Sequence, residues 1–351
     1  MRLFISAPDI FPGDAVGNHC FSVARAARRL GMEVRTFARA FDGDVEPIEA
    51  MFGEIRDDDI LFVSYSIFDP MLERLLLLPG HKIGYFHGVT TPELLREFEP
   101  VTADLCARSV EQFPLLSHFD VLLANSRWTA QSLAPYLDVD RVQIVPPVSA
   151  DMPIFHRKQA LHASHAQLNL MTVGRVVPHK RIEDAIDVLA RVRRFGCDAR
   201  LTVVGSAPNR AYSTYLTEHA RELGMDSNVD FTGMVDEQHL FAHFDAADVM
   251  LSVSLHEGFC VPVLEAMSLG LPAIVRAGTA ASEVGGGAAV VFEDLAEASD
   301  AICRIHGDPR ARAGLIEAGK RRATDVLAMA GDAVFQNIFL TLRASARSIR
   351  P

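Results

Sequence analysis

The chain has 351 residues, enough for two domains of ordinary size, and its balance of 49% apolar and 23% charged residues is that of a folded globular protein. A formal net charge of −11 argues against a general nucleic-acid binder, which carries a basic face. No apolar run approaches the roughly 20 residues that span a bilayer, and the opening Met1-Arg2-Leu3-Phe4-Ile5-Ser6-Ala7 is broken too soon for a signal peptide. Five scattered cysteines (Cys20, Cys106, Cys197, Cys260 and Cys303) contain no C-x-x-C and fit reduced thiols of a cytoplasmic protein.

In chain order, Leu3-Phe4-Ile5 reads as a first buried strand. The loop Phe11 to His19, with Gly13, Gly17 and Asn18, leads to a helix over Cys20–Leu30. Phe21, Ala24, Ala27 and Leu30 share one face, Arg25, Arg28 and Arg29 the others, and Gly31 ends it. Asp57-Asp58-Asp59 precedes the strand Ile60-Leu61-Phe62-Val63, at the edge away from expected ligands, and reads as a solvated turn rather than a metal motif. Strands Ile83-Gly84-Tyr85-Phe86 and Val121-Leu122-Leu123-Ala124 follow, the first ending in His87-Gly88, the second in Asn125-Ser126, with Ser126 as helix cap.

The interval Ser149 to Gln167 lacks periodicity and holds the pair His162 and His165, read as solvated. The domain boundary is placed there, giving domains over 1–155 and 156–330. The pattern then restarts with strands at Leu168–Val173, Leu201–Val204, Val229–Phe231, Val249–Val253 and Ala273–Val275. Apolar strands joined by helical crossovers mean open parallel sheets covered on both faces, so the expected class is α/β with two doubly wound, Rossmann-like domains. Ligands of such sheets sit at the carboxyl ends of the strands, here around a shared cleft. A tail helix over 331–351 is expected from Phe335, Ile338, Phe339 and Leu342.

Three segments at strand ends could carry chemistry. Gly174-Arg175-Val176-Val177-Pro178-His179-Lys180 puts two cations after a strand. Phe231-Thr232-Gly233-Met234-Val235 ends another. The richest is Ser254 to Met267, where Glu257 and Glu265 flank Gly258-Phe259-Cys260-Val261-Pro262. Pro262 suits the first helical position, which places Glu265 in the first turn, and Gly270 suits the residue past the helix end. Free N–H groups at such a helix start attract anions. Carboxylates on either side point to a ligand with both phosphates and hydroxyls, such as a sugar nucleotide.

Together these segments resemble retaining glycosyltransferases of family 4, which have the GT-B fold. Glu257 and Glu265 match the family's E-x7-E signature, Arg175 and Lys180 its G-R-x4-K segment, and Phe231 to Val235 its F-x-G-x-V turn. Ala281 to Gly287 resembles its P-E-V-x-G-D segment, with Ser282 replacing proline and Gly287 replacing aspartate, and is expected as a pocket loop. The Phe11 to His19 loop departs from the usual G-G-x-G form. The resemblance implies a diphosphate on Arg175, Lys180 and the N–H groups of Gly258, Phe259 and Cys260. It implies ribose on Glu265, donor sugar against Glu257 and His87, base near Gly233, Met234 and Val235, and acceptor near Gly17 and Asn18. It also implies no metal or other cofactor, a tail helix packing back on the first domain, and front-face transfer of a hexose. The wording around Glu257 is similar to bacterial mannosyl- and rhamnosyltransferases of polysaccharide assembly, hence a leaning to GDP-mannose and a glycan or lipid-linked acceptor at the inner membrane face. Alternatives are a sugar-nucleotide epimerase or phosphorylase of the same fold, or a non-catalytic sugar-nucleotide binder.

Overall fold

The computed structural model describes residues 2–147 and 167–348. The boundary drawn at 155/156 and the pair His162 and His165 lie outside them. The chain forms two compact units. One comprises 1–91, 104–152 and 326–351, and the other 92–103 and 153–325. The segment 92–103, placed in the first domain on sequence, thus groups with the second unit, where Phe98 packs on Tyr212 and accepts a hydrogen bond from Asn209 Nδ2 at 2.6 Å.

Elements of the first unit run β1 (Arg2–Ile10), α1 (Ala15–Arg29), β2 (Glu33–Phe41), β3 (Glu46–Pro47), β4 (Ile60–Tyr65), α2 (Leu72–Leu76), β5 (His81–Phe86), α3 (Pro100–Gln112), β6 (Val121–Ala124), α4 (Arg127–Gln131) and β7 (Val142–Ile144). The strands make one parallel sheet ordered β3-β2-β1-β4-β5-β6-β7. All six residues of β4 are buried because both faces are covered. Ile60 and Phe62 join one core with Leu3, Ile5, Val23 and Tyr85, and Leu61 and Val63 another with Phe4, Phe37 and Leu116.

Helix α1 starts five residues before the apolar periodicity does. Asp14 caps it, accepting from Val16 N at 3.0 Å and Gly17 N at 3.4 Å. Asp59 is not solvated as expected. It is 2% exposed and accepts from Arg2 N and both Nε and Nη2 of the Arg2 guanidinium. Those bonds tie the start of β4 to the start of β1. Ser126 caps α4 through Thr129 N at 3.1 Å.

The second unit continues β8 (Leu168–Val173), α5 (Ile182–Arg194), β9 (Ala199–Val204), α6 (Arg210–Glu222), β10 (Val229–Gly233), α7 (Glu237–Ala246), β11 (Val249–Ser252), α8 (Val261–Ser268), β12 (Ala273–Arg276), α9 (Ala280–Gly285), β13 (Val290–Phe292), α10 (Leu295–Gly307) and α11 (Pro309–Ala328). Its parallel sheet is ordered β10-β9-β8-β11-β12-β13. Its core is built by Leu170, Leu201, Leu251 and Ile274 from the sheet with Ile186, Leu189 and Ile302 from α5 and α10. Sulfurs of Cys197 and Cys303 meet at 3.7 Å, a proximity their spacing of 106 residues does not announce.

Helix α12 (Asp332–Ser348) returns to the first unit. Phe335, Ile338, Phe339 and Leu342 are buried in the core that holds Leu3, Ile5 and Ala27. A stretch from α11 into α12 is apolar enough to span a membrane by length and composition alone. It is interrupted by the turn at 329–331, and its apolar α12 face is buried in this core. Arg29 pairs with Asp332 at 2.6 Å and Arg28 approaches Asp44 at 3.8 Å, so two of the three α1 arginines already face acidic side chains.

Candidate functional site

Strand β8 lies between β9 and β11, so the chain leaves the sheet in opposite directions from β8 and β11. A crevice opens at the carboxyl end of such a switch point. The loop after β8 carries Arg175 and Lys180, and the loop after β11 carries Ser254, His256 and Glu257. A backbone bond from Leu255 N to His179 O, 2.9 Å, stitches the two loops. Lys180 Nζ then reaches both Glu257 oxygens at 2.7 Å, and Ser254 Oγ donates to Glu257 Oε1 at 2.7 Å. The Glu257 side chain is 9% exposed and that of Lys180 20%, so this pair is shielded from water and screened little.

Arg175 is exposed and has no ion-pair partner among the described residues. Its loop is pressed on the neighbouring turn. A Cβ at Gly205 would lie 2.0 Å from the Gly174 carbonyl oxygen, so only glycine fits there.

The next turn is set by Cys260, a non-glycine residue in left-handed backbone with φ 76°. Helix α8 begins after it, with Pro262 as its second residue rather than its first. Glu265 therefore lies in the second turn, not the first. The N–H groups of Phe259, Cys260 and Val261 take no partner among the described residues, as a helix start requires for anion binding. The side chains of Phe259 and Cys260 are buried. Burial pushes the Cys260 thiol well up, so it is no nucleophile. Gly270 follows the helix with φ 73°.

Glu265 keeps part of its surface open, and its carboxylate has no hydrogen bond or ion pair among the described residues. Loss of hydration, reinforced by the Glu237 carboxylate, pushes it up to about 7. His256 is held at about 4 and His179 well below its usual value, in both cases chiefly by burial. Both imidazoles are neutral, and Arg175 and Lys180 supply the positive charge of these two loops.

At the end of β10, Gly233 has φ 72° with open space beside it, Met234 is 79% exposed and Val235 half-buried. The segment Ala281 to Gly285, expected as a loop, is helix α9, held by Arg322 donating to the carbonyls of Glu283 and Val284 at 2.9 Å.

In the first unit, Gly17 is required by packing. Its Cβ would sit 2.1 Å from the Phe11 carbonyl oxygen. Asn18 Oδ1 accepts from Gly13 N at 3.0 Å and braces the same loop. His87 follows β5, with its N–H on the Tyr65 carbonyl (2.9 Å), its carbonyl on Asn125 Nδ2 (2.9 Å) and its Nε2 2.7 Å from Ser64 Oγ. Burial holds this imidazole down at about 3, hence neutral. Sequence reasoning passed over Ser64 and gave Asn125 no role toward His87. The available signal was their place at the carboxyl ends of β4 and β6, the strands that flank β5.

Residues 167–308 match the family described as "Glycosyl transferases group 1". The chain is 29% identical over 231 residues to a GDP-mannose-dependent alpha-(1-6)-phosphatidylinositol dimannoside mannosyltransferase of Mycobacterium tuberculosis (strain ATCC 25177 / H37Ra), covering 60% of this chain and 57% of that protein. It is 29% identical over 195 residues to the D-inositol 3-phosphate glycosyltransferase of Corynebacterium glutamicum (strain R), covering 51% and 45%. The matches thus span about half the length of these curated relatives. Among solved structures, sucrose-phosphate synthase from Thermosynechococcus elongatus superposes with a TM-score of 0.75 at 16% identity, covering 98% of this chain and 100% of that one. Anabaena HepE in complex with UDP and glucose superposes at 0.72 and 15% identity, with the same coverage. The fold is GT-B, two Rossmann-like parallel-sheet units. The resemblance to the group 1 glycosyltransferases is carried by residues 167–308.

Proposed function

We propose that the protein moves a hexose from a nucleoside-diphosphate sugar to a hydroxyl acceptor, a glycan or lipid-linked glycan, with retention at the sugar carbon. The observation that carries this is the second sheet's switch point. There the loops after β8 and β11 and the start of α8 carry Arg175, Lys180, three N–H groups and the Glu265 carboxylate, and of these Arg175, the N–H groups and Glu265 have no partner among the described residues. Breaking a glycosidic bond to a diphosphate builds negative charge on the leaving oxygen. Donors fixed where that charge develops lower the barrier. Arg175, Lys180 and the start of α8 take this role, with no resident metal or cofactor. Glu257 takes sugar hydroxyls, Glu265 the ribose hydroxyls, and Gly233 to Val235 lie against the base. In the first unit, Gly17 and Asn18 shape the acceptor loop, and His87 presents a neutral hydrogen bond to the transferred sugar. GDP-mannose is the proposed donor, supported by the relative that names it. Work on a lipid-linked acceptor would place the enzyme at the cytoplasmic face of a membrane.

The test is calorimetry of GDP, UDP, dTDP and ADP with wild type and Glu265→Ala in metal-free buffer. Selective binding of GDP, lost in the variant, is expected. Binding of none of them by folded protein would sink the assignment. Binding without turnover across an acceptor panel would favour a non-catalytic binder, and donor conversion without acceptor an epimerase. A strict need for inorganic phosphate would favour a phosphorylase.

A further inference from the structure

Buried against α1 in the first unit is a chain of polar groups that the proposed mechanism does not explain. Ser64 on β4 and His87 after β5 point to the same sheet face as Cys20 and His19 of α1. Ser64 Oγ stands 2.7 Å from His87 Nε2 and also interacts with the Cys20 thiol. The His87 ring is walled by His19, edge-on at 5.1 Å between centroids, and by Tyr85 at 4.7 Å. Both backbone polar groups of His87 are bonded, to Tyr65 and Asn125. The ring therefore has one internal partner, Ser64, while Nδ1 takes none among the described residues.

A hydroxyl has one proton to give, and it can go to the imidazole nitrogen or to the sulfur. Imidazole nitrogen is the strong acceptor and sulfur the weak one. The Cys20 thiol is fully buried, and burial pushes it up to about 12, so it keeps its own proton. The Ser64 O–H then goes to His87 Nε2.

We propose that Ser64 is a positioning residue that fixes His87 in the tautomer with its proton on Nδ1, so that this side chain offers a ligand a single N–H donor. The consequence for transfer rests on the reading of His87 as facing the transferred sugar, but the tautomer does not. An N–H aimed at a sugar oxygen holds that oxygen without exchanging a proton. It suits a reaction in which the leaving phosphate, not a side chain, takes the acceptor's proton.

Long-range 15N–1H correlation spectra of the labelled protein separate a protonated ring nitrogen from a bare one, with His87→Gln assigning the signals. The wild type should show Nδ1 protonated and Nε2 bare. Ser64→Ala should shift the proton toward Nε2 or mix the two forms, and Ser64→Thr, which keeps the hydroxyl, should restore it. Turnover of GDP-mannose should fall roughly ten- to hundred-fold in Ser64→Ala with little change in KM, taking as a guide the range for loss of the partner that orients a metal-ligating histidine. A wild-type proton on Nε2, or a Ser64→Ala spectrum unchanged from wild type, overturns the proposal. The wild-type spectrum decides by itself if Ser64→Ala folds poorly. If the tautomer moves as expected and His87→Ala still transfers at the wild-type rate, the sugar-facing reading fails and the assignment to Ser64 stands.

Discussion

The carboxyl edges of the two sheets solve opposite electrostatic problems with the same architecture. At the second, charges are brought together: Lys180 on Glu257, Arg175 without an ion pair among the described residues, Glu265 carrying a perturbed carboxyl. At the first, around His87, the groups are neutral: a buried imidazole, a hydroxyl and a thiol. A parallel sheet can therefore end in a cluster of charged groups or in a cluster of neutral ones. Which one results depends on the few residues after each strand.

The largest expected effect comes from breaking the charged edge. Lys180→Ala leaves Glu257 buried without its counter-charge, and stability should fall by about 3 kcal/mol. Urea titration of this variant beside the double variant Lys180→Met/Glu257→Gln checks it, because removing both charges should recover most of the loss. An equal loss in both would mean that packing, not charge, decides.

At the other edge, Gly17→Ala must push the Phe11 backbone aside and should cost about 2 kcal/mol. Gly13→Ala strains only its own left-handed backbone, φ 83° with open space around it, and should cost about 1 kcal/mol. Chemical denaturation of the two variants would reverse this order if Gly17 served a ligand rather than the loop.

Next comes Glu265. Its carboxyl is raised from 4.5 to about 7 in the folded chain, so the fold disfavours the charged form. Its contribution to stability is therefore fully present below pH 4.5, declines as pH rises, and is gone above about 7. Glu265→Gln should flatten the stability profile across that window. Ribose hydroxyls need the ionised carboxylate, so GDP should bind about tenfold more weakly at pH 6 than at pH 8, the ratio of ionised fractions. Calorimetry at both values checks this, and a flat profile in the wild type would remove Glu265 from the site. The smallest effect belongs to Arg29→Ala. Its partly exposed pair with Asp332 should be worth less than about 1 kcal/mol, read as a small shift in thermal midpoint that shrinks in salt.

Much of this was legible in the residues because it is local. The strand at 60–63 read as a continuous apolar run and that at 168–173 as a mostly apolar one, and the α12 periodicity marked the face that is buried. The strands β2, β3, β7 and β13 escaped notice. β2 mixes arginines among its apolar residues without a regular period, and the others are two or three residues long at sheet edges, too short for a pattern to repeat. The one-residue error at Pro262 carried Glu265 from the end of the first turn into the second, because the left-handed Cys260 carries no sign in its own chemistry. Asp59 looked solvated for the same kind of reason, since its partner Arg2 is 57 residues away.

By itself the sequence determined the alternation of strand and helix, the pair of carboxylates, the pair of cations, and the loops that carry them, each encoded within its own short segment. Only the tertiary structure decided which of those charges spend themselves on each other. Lys180 and Glu257 are 77 residues apart, and Ser64 and His87 are 23 apart. Parallel pairing brings them together, and the burial that follows removes the water that would otherwise keep each group independent.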